Sequence, residues 1–127
     1  MTTPESVVKK EVEKSLACLQ QAGDIIYCQR VNTGKIKTEW GSWVQLAETG
    51  HWDWIALFIN KDRNLSFVFI EHKRADKPAK LDPEQIKFKQ RYDSKHVDVL
   101  FWLVQSGDEV TSLVLDNCYD RLNDVSL

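Results

Sequence analysis

Two apolar runs, Trp52 to Ile59 and Leu65 to Glu71, flank the polar stretch Asn60-Lys61-Asp62-Arg63-Asn64. This pattern predicts two strands joined as a hairpin. Side chains alternate between the two faces of a strand. Alternation here yields no polar face: Ile55, Leu57, Ile59, Phe67 and Phe69 fall on one side, Trp54, Ala56, Phe58, Val68 and Ile70 on the other. A sheet that is apolar on both faces has to be covered on both. The hairpin therefore dictates a layered α/β arrangement.

The rest of the chain supplies the layers. Val8, Val12, Leu16 and Leu19 are spaced for one face of a helix over Pro4 to Ala22, which Gly23 stops. Asp24 to Val31 reads as a first strand. Asn32 to Gly50 reads as a long polar loop with a short strand near Trp43 to Leu46, and Arg74 to Lys80 as a flexible basic loop. Asp82 suits an N-cap and Pro83 the first helical position, opening a helix to about Asp93. Val97 to Val104 is a continuous apolar strand. It follows a helical crossover and is expected to run parallel to a neighbour. In the tail, Val110 to Leu115 reads as an edge strand and Tyr119 to Val125 as a last turn of helix. The expected fold is a small αβββαβ sandwich, a mixed sheet flanked by helices, forming one domain over residues 1–127.

Composition excludes several classes. The chain of 127 residues is 43% hydrophobic and 28% charged, as in a globular protein. No stretch approaches the roughly 20 apolar residues of a membrane span. The start, Met-Thr-Thr-Pro-Glu-Ser, lacks a signal-peptide pattern, so a cytoplasmic location with no membrane partner is expected. Cys18, Cys28 and Cys118 are unclustered, which fits reduced, buried thiols and neither a disulfide framework nor a zinc site. The net charge of −2 is uneven: Glu71 to Lys95 holds eight basic residues against five acids. Such a stretch suits a solvated helix face or a nucleic-acid contact.

The chemistry gathers at one end of the hairpin. If the hairpin folds symmetrically about Asp62, Ile59 faces Leu65, Leu57 faces Phe67, and Asp53 lies opposite Glu71. Directly opposed side chains have Cβ atoms roughly 4.5–5.5 Å apart, so two carboxylates there repel unless something positive joins them. Lys73, on the same face as Glu71, is one candidate. A divalent cation is the other, and oxygen ligands favour Mg²⁺ or Mn²⁺. An acid pair, a lysine and such a cation suit phosphodiester hydrolysis. The same residues also suit a plain ion pair at a strand end.

Four segments carry a family resemblance, in order: Arg30-Val31-Asn32-Thr33-Gly34, Gly50-His51-Trp52-Asp53, Ile70-Glu71-His72-Lys73, and Leu81-Asp82-Pro83-Glu84-Gln85. The chain resembles VRR-NUC domains of the PD-(D/E)XK nuclease superfamily, over about Glu5 to Gln105. The resemblance implies a restriction-endonuclease-like fold and a Mg²⁺- or Mn²⁺-dependent endodeoxyribonuclease. Asp53, Glu71 and the main-chain carbonyl of His72 would then bind metal, Lys73 would be the catalytic lysine, and Gln85 would approach from its helix. Asp82 and Gln85 also suit a capping box, which leaves two readings of Gln85. The family places an acid in the first helix. Glu5 falls near the centre of the apolar face and Glu11 at its margin, so Glu5 is preferred as a further metal ligand.

Arg30, Asn32, Lys35, Lys37 and Arg74 are candidate contacts to DNA phosphates. Trp40, Trp43 and Trp52 can stack on an unpaired base, although core or dimer packing is the commoner use of tryptophan. His51 lies beside the site in sequence. His72 is expected to point away from Glu71 and Lys73. Stand-alone relatives resemble junction-cleaving enzymes of viral or bacterial origin. Branched DNA such as a Holliday junction, or duplex DNA, is thus the expected partner, with a homodimer as the assembly. The alternatives are a restriction-like or flap nuclease on the same core, and a catalytically inactive DNA-binding module.

Overall fold

A computed structural model describes residues 4–32, 34–93 and 99–119. Thr33, residues 94–98 and the tail from 120 lie outside the described residues, and with them Lys95, His96, the first two positions of the expected strand at Val97 and most of the expected final helical turn.

Helix α1 (Pro4–Ala22) buries Val8, Val12, Leu16 and Leu19, the predicted stripe. Each such burial stabilises by about 1.5–3 kcal/mol. Gly23, at φ +88°, ends the helix. Its N–H donates to Gln20 O at 3.1 Å, and the Asp24 N–H to Leu19 O at 2.9 Å. These paired bonds close the last turn around a left-handed residue, a conformation that favours glycine.

The main sheet contains β1 (Tyr27–Arg30), β4 (Trp54–Ile59), β5 (Leu65–His72) and β6 (Val99–Val104), in the spatial order β1-β4-β5-β6. β1 and β5 flank β4 antiparallel, and β6 runs parallel to β5. The hairpin register is the predicted one: Ile59 pairs with Leu65, Leu57 with Phe67 and Trp54 with Ile70. A second, two-stranded sheet pairs β2 (Lys35–Lys37) with β3 (Trp43–Gln45). Helix α2 (Pro83–Tyr92) forms the crossover from β5 to β6, and α3 (Gly107–Asn117) follows β6.

Both faces of the sheet are covered. On one, Trp54, Ala56, Phe58, Val68 and Ile70 pack with the α1 stripe and with Val110 and Val114 of α3. On the other, Trp52, Phe69 and Phe88 form an aromatic cluster that Ile55, Phe67 and Phe101 join. Over the described residues the molecule is thus a mixed α/β sandwich of three helices and a small mixed sheet. Among the described residues no helix is long and apolar enough to cross a membrane.

Three expectations are corrected. Val110 to Leu115 is not an edge strand but the centre of α3. Its β-branched residues are overridden by a cap, Ser106 Oγ accepting from the Glu109 N–H at 3.2 Å, and by burial of Val110 and Val114 at helical spacing. The 32–50 segment contains a strand, β2, that was not expected. Cys18 is exposed, whereas Cys118 is buried and Cys28 is intermediate; all three are free thiols.

Candidate active site

Extending the β4–β5 register one residue beyond Trp54 and Ile70 brings Asp53 opposite Glu71. The Asp53 main-chain N–H donates to Glu71 Oε1 at 3.2 Å. The His72 main-chain N–H donates to Asp53 Oδ2, also at 3.2 Å. Each acid is thus fixed to the main chain of the neighbouring strand. Glu71 is only 4% exposed.

Electrostatics divides the pair. Burial, and then the charge of Asp53, push the Glu71 carboxyl up to about 7, against partial relief from Gln85 and Lys73. For Asp53, burial acts upward, but the hydrogen bonds and charge of His72 outweigh it and hold the carboxyl below its ordinary range. The two opposed acids are thus driven apart in affinity for a proton, Glu71 upward and Asp53 downward.

Lys73 and Gln85 complete the group. Lys73 Nζ lies 3.4 Å from Glu71 Oε2 and 3.8 Å from Asp82 Oδ2. It donates to Gln85 Oε1 at 3.1 Å. The same Oε1 accepts from the Asp82 N–H at 2.9 Å. The two readings of Gln85 are therefore compatible: one side chain caps α2 and holds Lys73. The Lys73 N–H donates to Val104 O at 2.9 Å, fixing the lysine beyond the end of β5.

Two residues that sequence reasoning did not place in the site hold α2 over it. Trp52, only 1% exposed, donates its indole N–H to Gln85 O at 3.2 Å. Its burial excludes it as a base-stacking residue. Gly50 has φ +80°, and a Cβ there would lie 2.1 Å from Glu84 O. The Gly50-x-x-Asp53 spacing contained this signal, since a conformation with φ above zero and close backbone approach favour glycine.

His72 points to the α1 side of the sheet, as expected, yet it touches the site. Its Nδ1 lies 2.9 Å from Asp53 Oδ2, and the Trp54 indole N–H donates to the same Nδ1 at 3.3 Å. Glu5 reaches within 4.0 Å of His72 Nε2, but its side chain is 65% exposed rather than central in the buried face. The one-turn position of Glu5 at the helix start leaves it at the rim. Glu11 sits instead at the α1–α3 contact, where its carbonyl faces Gly107. His51 packs on Phe69 and Phe88 and not on the carboxylates.

The expected DNA contacts are dispersed. Arg30 ends β1 and is exposed, next to Val31, whose N–H donates to Asp53 O at 2.7 Å. Asn32 Oδ1 accepts from the Gly34 N–H, a local turn. Lys35 and Lys37 lie exposed on β2. Arg74 is engaged by Asp76 through two contacts of 2.6 and 2.5 Å. The loop that follows is tied down by Gln105, which donates to Arg74 O and Lys77 O at 3.1 and 2.6 Å.

Among the described residues no three His, Cys, Asp or Glu side chains form a ready-made metal cage. Magnesium does not require one, since it is commonly held by one or two carboxylates while keeping several waters. The opposed carboxyl oxygens of Asp53 and Glu71 fit such an ion. Comparison with protein-family models, with curated proteins and with solved structures finds no match to this chain.

Proposed function

We propose that the chain is a metal-dependent endodeoxyribonuclease of the PD-(D/E)XK type, resembling VRR-NUC domains and acting on branched DNA. One observation carries this reading. Asp53, Glu71, Lys73 and Gln85, drawn from two strands and a helix, form one hydrogen-bonded group at the sheet's end. With the β2–β3 ribbon and the final helix α3 set aside, the element order is the expected helix, three strands, helix and strand, and this supports the reading.

Asp53 and Glu71, with the His72 carbonyl as a further oxygen, would hold a Mg²⁺ or Mn²⁺ ion, which when bound would supply Lewis acidity and a water of lowered pKa. The protein's own groups do the rest. Lys73 presents a fixed ammonium to the charge that develops on the phosphorus oxygens. Gln85 holds that ammonium in place, and His72 keeps Asp53 ionised. Trp52 and Gly50 keep α2 in position. A four-way junction has two-fold symmetry, so a homodimer presenting two such sites suits it.

The test is cleavage of a labelled panel comprising a four-way junction, a flap, a nick, single strands and plain duplex. Cutting with Mn²⁺ or Mg²⁺ that disappears with EDTA and with Lys73→Ala is expected. Binding without any cutting would favour the inactive DNA-binding module instead.

A further inference from the structure

The mechanism leaves the β2–β3 ribbon, between Gly34 and Leu46, without a task. Its two legs are rooted at the site. On the outward leg Val31 bonds Asp53, as described. On the return leg Glu48 accepts from the Tyr92 hydroxyl at 2.6 Å and pairs with Arg91, which ties it to the end of α2. The Leu46 N–H donates to Gly34 O at 3.0 Å and closes the base. From Gly34 to Trp40, at about 3.3 Å per residue, the ribbon reaches roughly 20 Å.

Beyond that root the ribbon is exposed, and its composition is unusual for an exposed element. Trp52, Trp54 and Trp102 are buried, while Trp40 and Trp43, 86% and 66% exposed, both lie on the ribbon. Lys37 pairs with Trp43 and Lys35 with Gln45, so one face carries two ammonium groups and an indole. Trp40 sits at the tip, in the turn that the Gly41 N–H closes onto Thr38 O. These indoles pack into no core, and leaving them in water forgoes the gain of burial.

We propose that the β2–β3 ribbon is a branch-recognition arm. Lys35 and Lys37 meet backbone phosphates, and Trp40 and Trp43 stack on base faces that a junction leaves unstacked at its crossover or that a flap leaves unpaired. The inference rests on the nuclease reading and names how that site finds its substrate. A major groove about 12 Å wide admits a two-stranded ribbon. Stacking needs only the face of a base and is tolerant of sequence, which suits selection by structure. The competing occupant is a second copy of this chain. Two-fold pairing through the lysine-bearing face would set like charges together, which disfavours it.

The test measures binding of the full chain to a four-way junction and to a plain duplex of equal length, in EDTA so that nothing is cut. Trp40→Ala with Trp43→Ala is expected to weaken junction binding about ten-fold or more while changing duplex binding less than about two-fold. Both residues are exposed, and an unchanged Tm checks the fold. Lys35→Ala with Lys37→Ala is expected to weaken both and to flatten the salt dependence. Unchanged junction affinity in the tryptophan variant overturns the arm. So does loss of a dimer at unchanged junction affinity, which places a second copy on the ribbon. A wild-type chain that binds no DNA removes both inferences. Cleavage in Mn²⁺ separates them: ribbon-dependent junction binding without cutting leaves the arm and removes the nuclease, and cutting with ribbon-independent binding does the reverse.

Discussion

Asp53 and Glu71 stand in a reciprocal relationship: Glu71 accepts the Asp53 main-chain N–H, and Asp53 accepts the main-chain N–H of His72, beside Glu71. Two opposed carboxylates would ordinarily loosen the end of a hairpin. Here they are its last clasp. Their positions are set by strand backbone and not by loop side chains, the kind of rigid support a precise site requires.

The raised Glu71 carboxyl makes stability depend on pH. Its folded value is about 7 against an ordinary 4.5, so the folded chain binds this proton more tightly than the unfolded chain does. The stabilisation is fully present below about 4.5 and is lost as pH rises through about 7, with a ceiling of roughly 3 kcal/mol. Asp53 acts in the opposite sense, its contribution lost only as pH falls below its depressed value. Without divalent metal, Tm is expected to fall between about pH 5 and pH 8.5, and Glu71→Gln to flatten that slope. A thermal series of both proteins checks this; parallel slopes would show that another group titrates.

Lys73→Ala removes the ammonium that contacts both Glu71 and Gln85. Cleavage is expected to fall by about 10² to 10³-fold or more, as when one transition-state charge partner is lost. Mn²⁺ binding, measured by calorimetry, is expected to persist, because both carboxylates remain. A Lys73→Ala chain that cuts at near wild-type rate would reduce the lysine to an ion-pair partner.

The sheet and the acid pair were legible because one rule governs them. Period-two alternation across Trp54–Ile59 and Leu65–Ile70 fixes the faces, and a short polar connector fixes the register that sets Asp53 against Glu71. Other parts lacked such a rule. In α3 the Val-x-x-Leu-Val run looks like a strand until the cap at Ser106 and the contact with α1 are known. The His72–Asp53 contact crosses the sheet end from one face to the other, so alternation alone hides it. Glu5 was placed by helical phase, which says nothing of where the covering layer stops.

Gly50→Ala is expected to displace the first turn of α2. The added Cβ would meet the main chain of Glu84 at φ +80°, and neither the atom nor the angle is accommodating. A loss of about 1–3 kcal/mol is expected. Gln85 follows Glu84, so cleavage should fall further than the stability loss accounts for. Comparison with Gly107→Ala, which meets Ser15 and the Glu11 carbonyl at the α1–α3 contact, provides the control. That variant is expected to lower Tm while retaining cleavage below its Tm. Equal effects on activity from both would show that α2 has no special part.

His72→Phe keeps a ring of similar reach in the buried position and removes the imidazole nitrogen that contacts Asp53 Oδ2. Burial, which acts to raise the Asp53 carboxyl, would then meet less opposition, since His72 is the source of most of what lowers it. The carboxyl is expected to rise, and the two acids to compete more evenly for one proton. A divalent ion must displace that proton, so Mn²⁺ affinity near neutral pH is expected to fall about 10- to 100-fold, as when a group supporting a metal ligand is removed. Raising the pH should restore part of the loss by removing the competing proton. Calorimetric titrations of both proteins at about pH 6.5 and pH 8.5 measure this directly. Affinity that is unchanged at the lower pH would mean that the main-chain N–H of His72 alone suffices to keep Asp53 ionised, and that the imidazole serves the packing around Trp54.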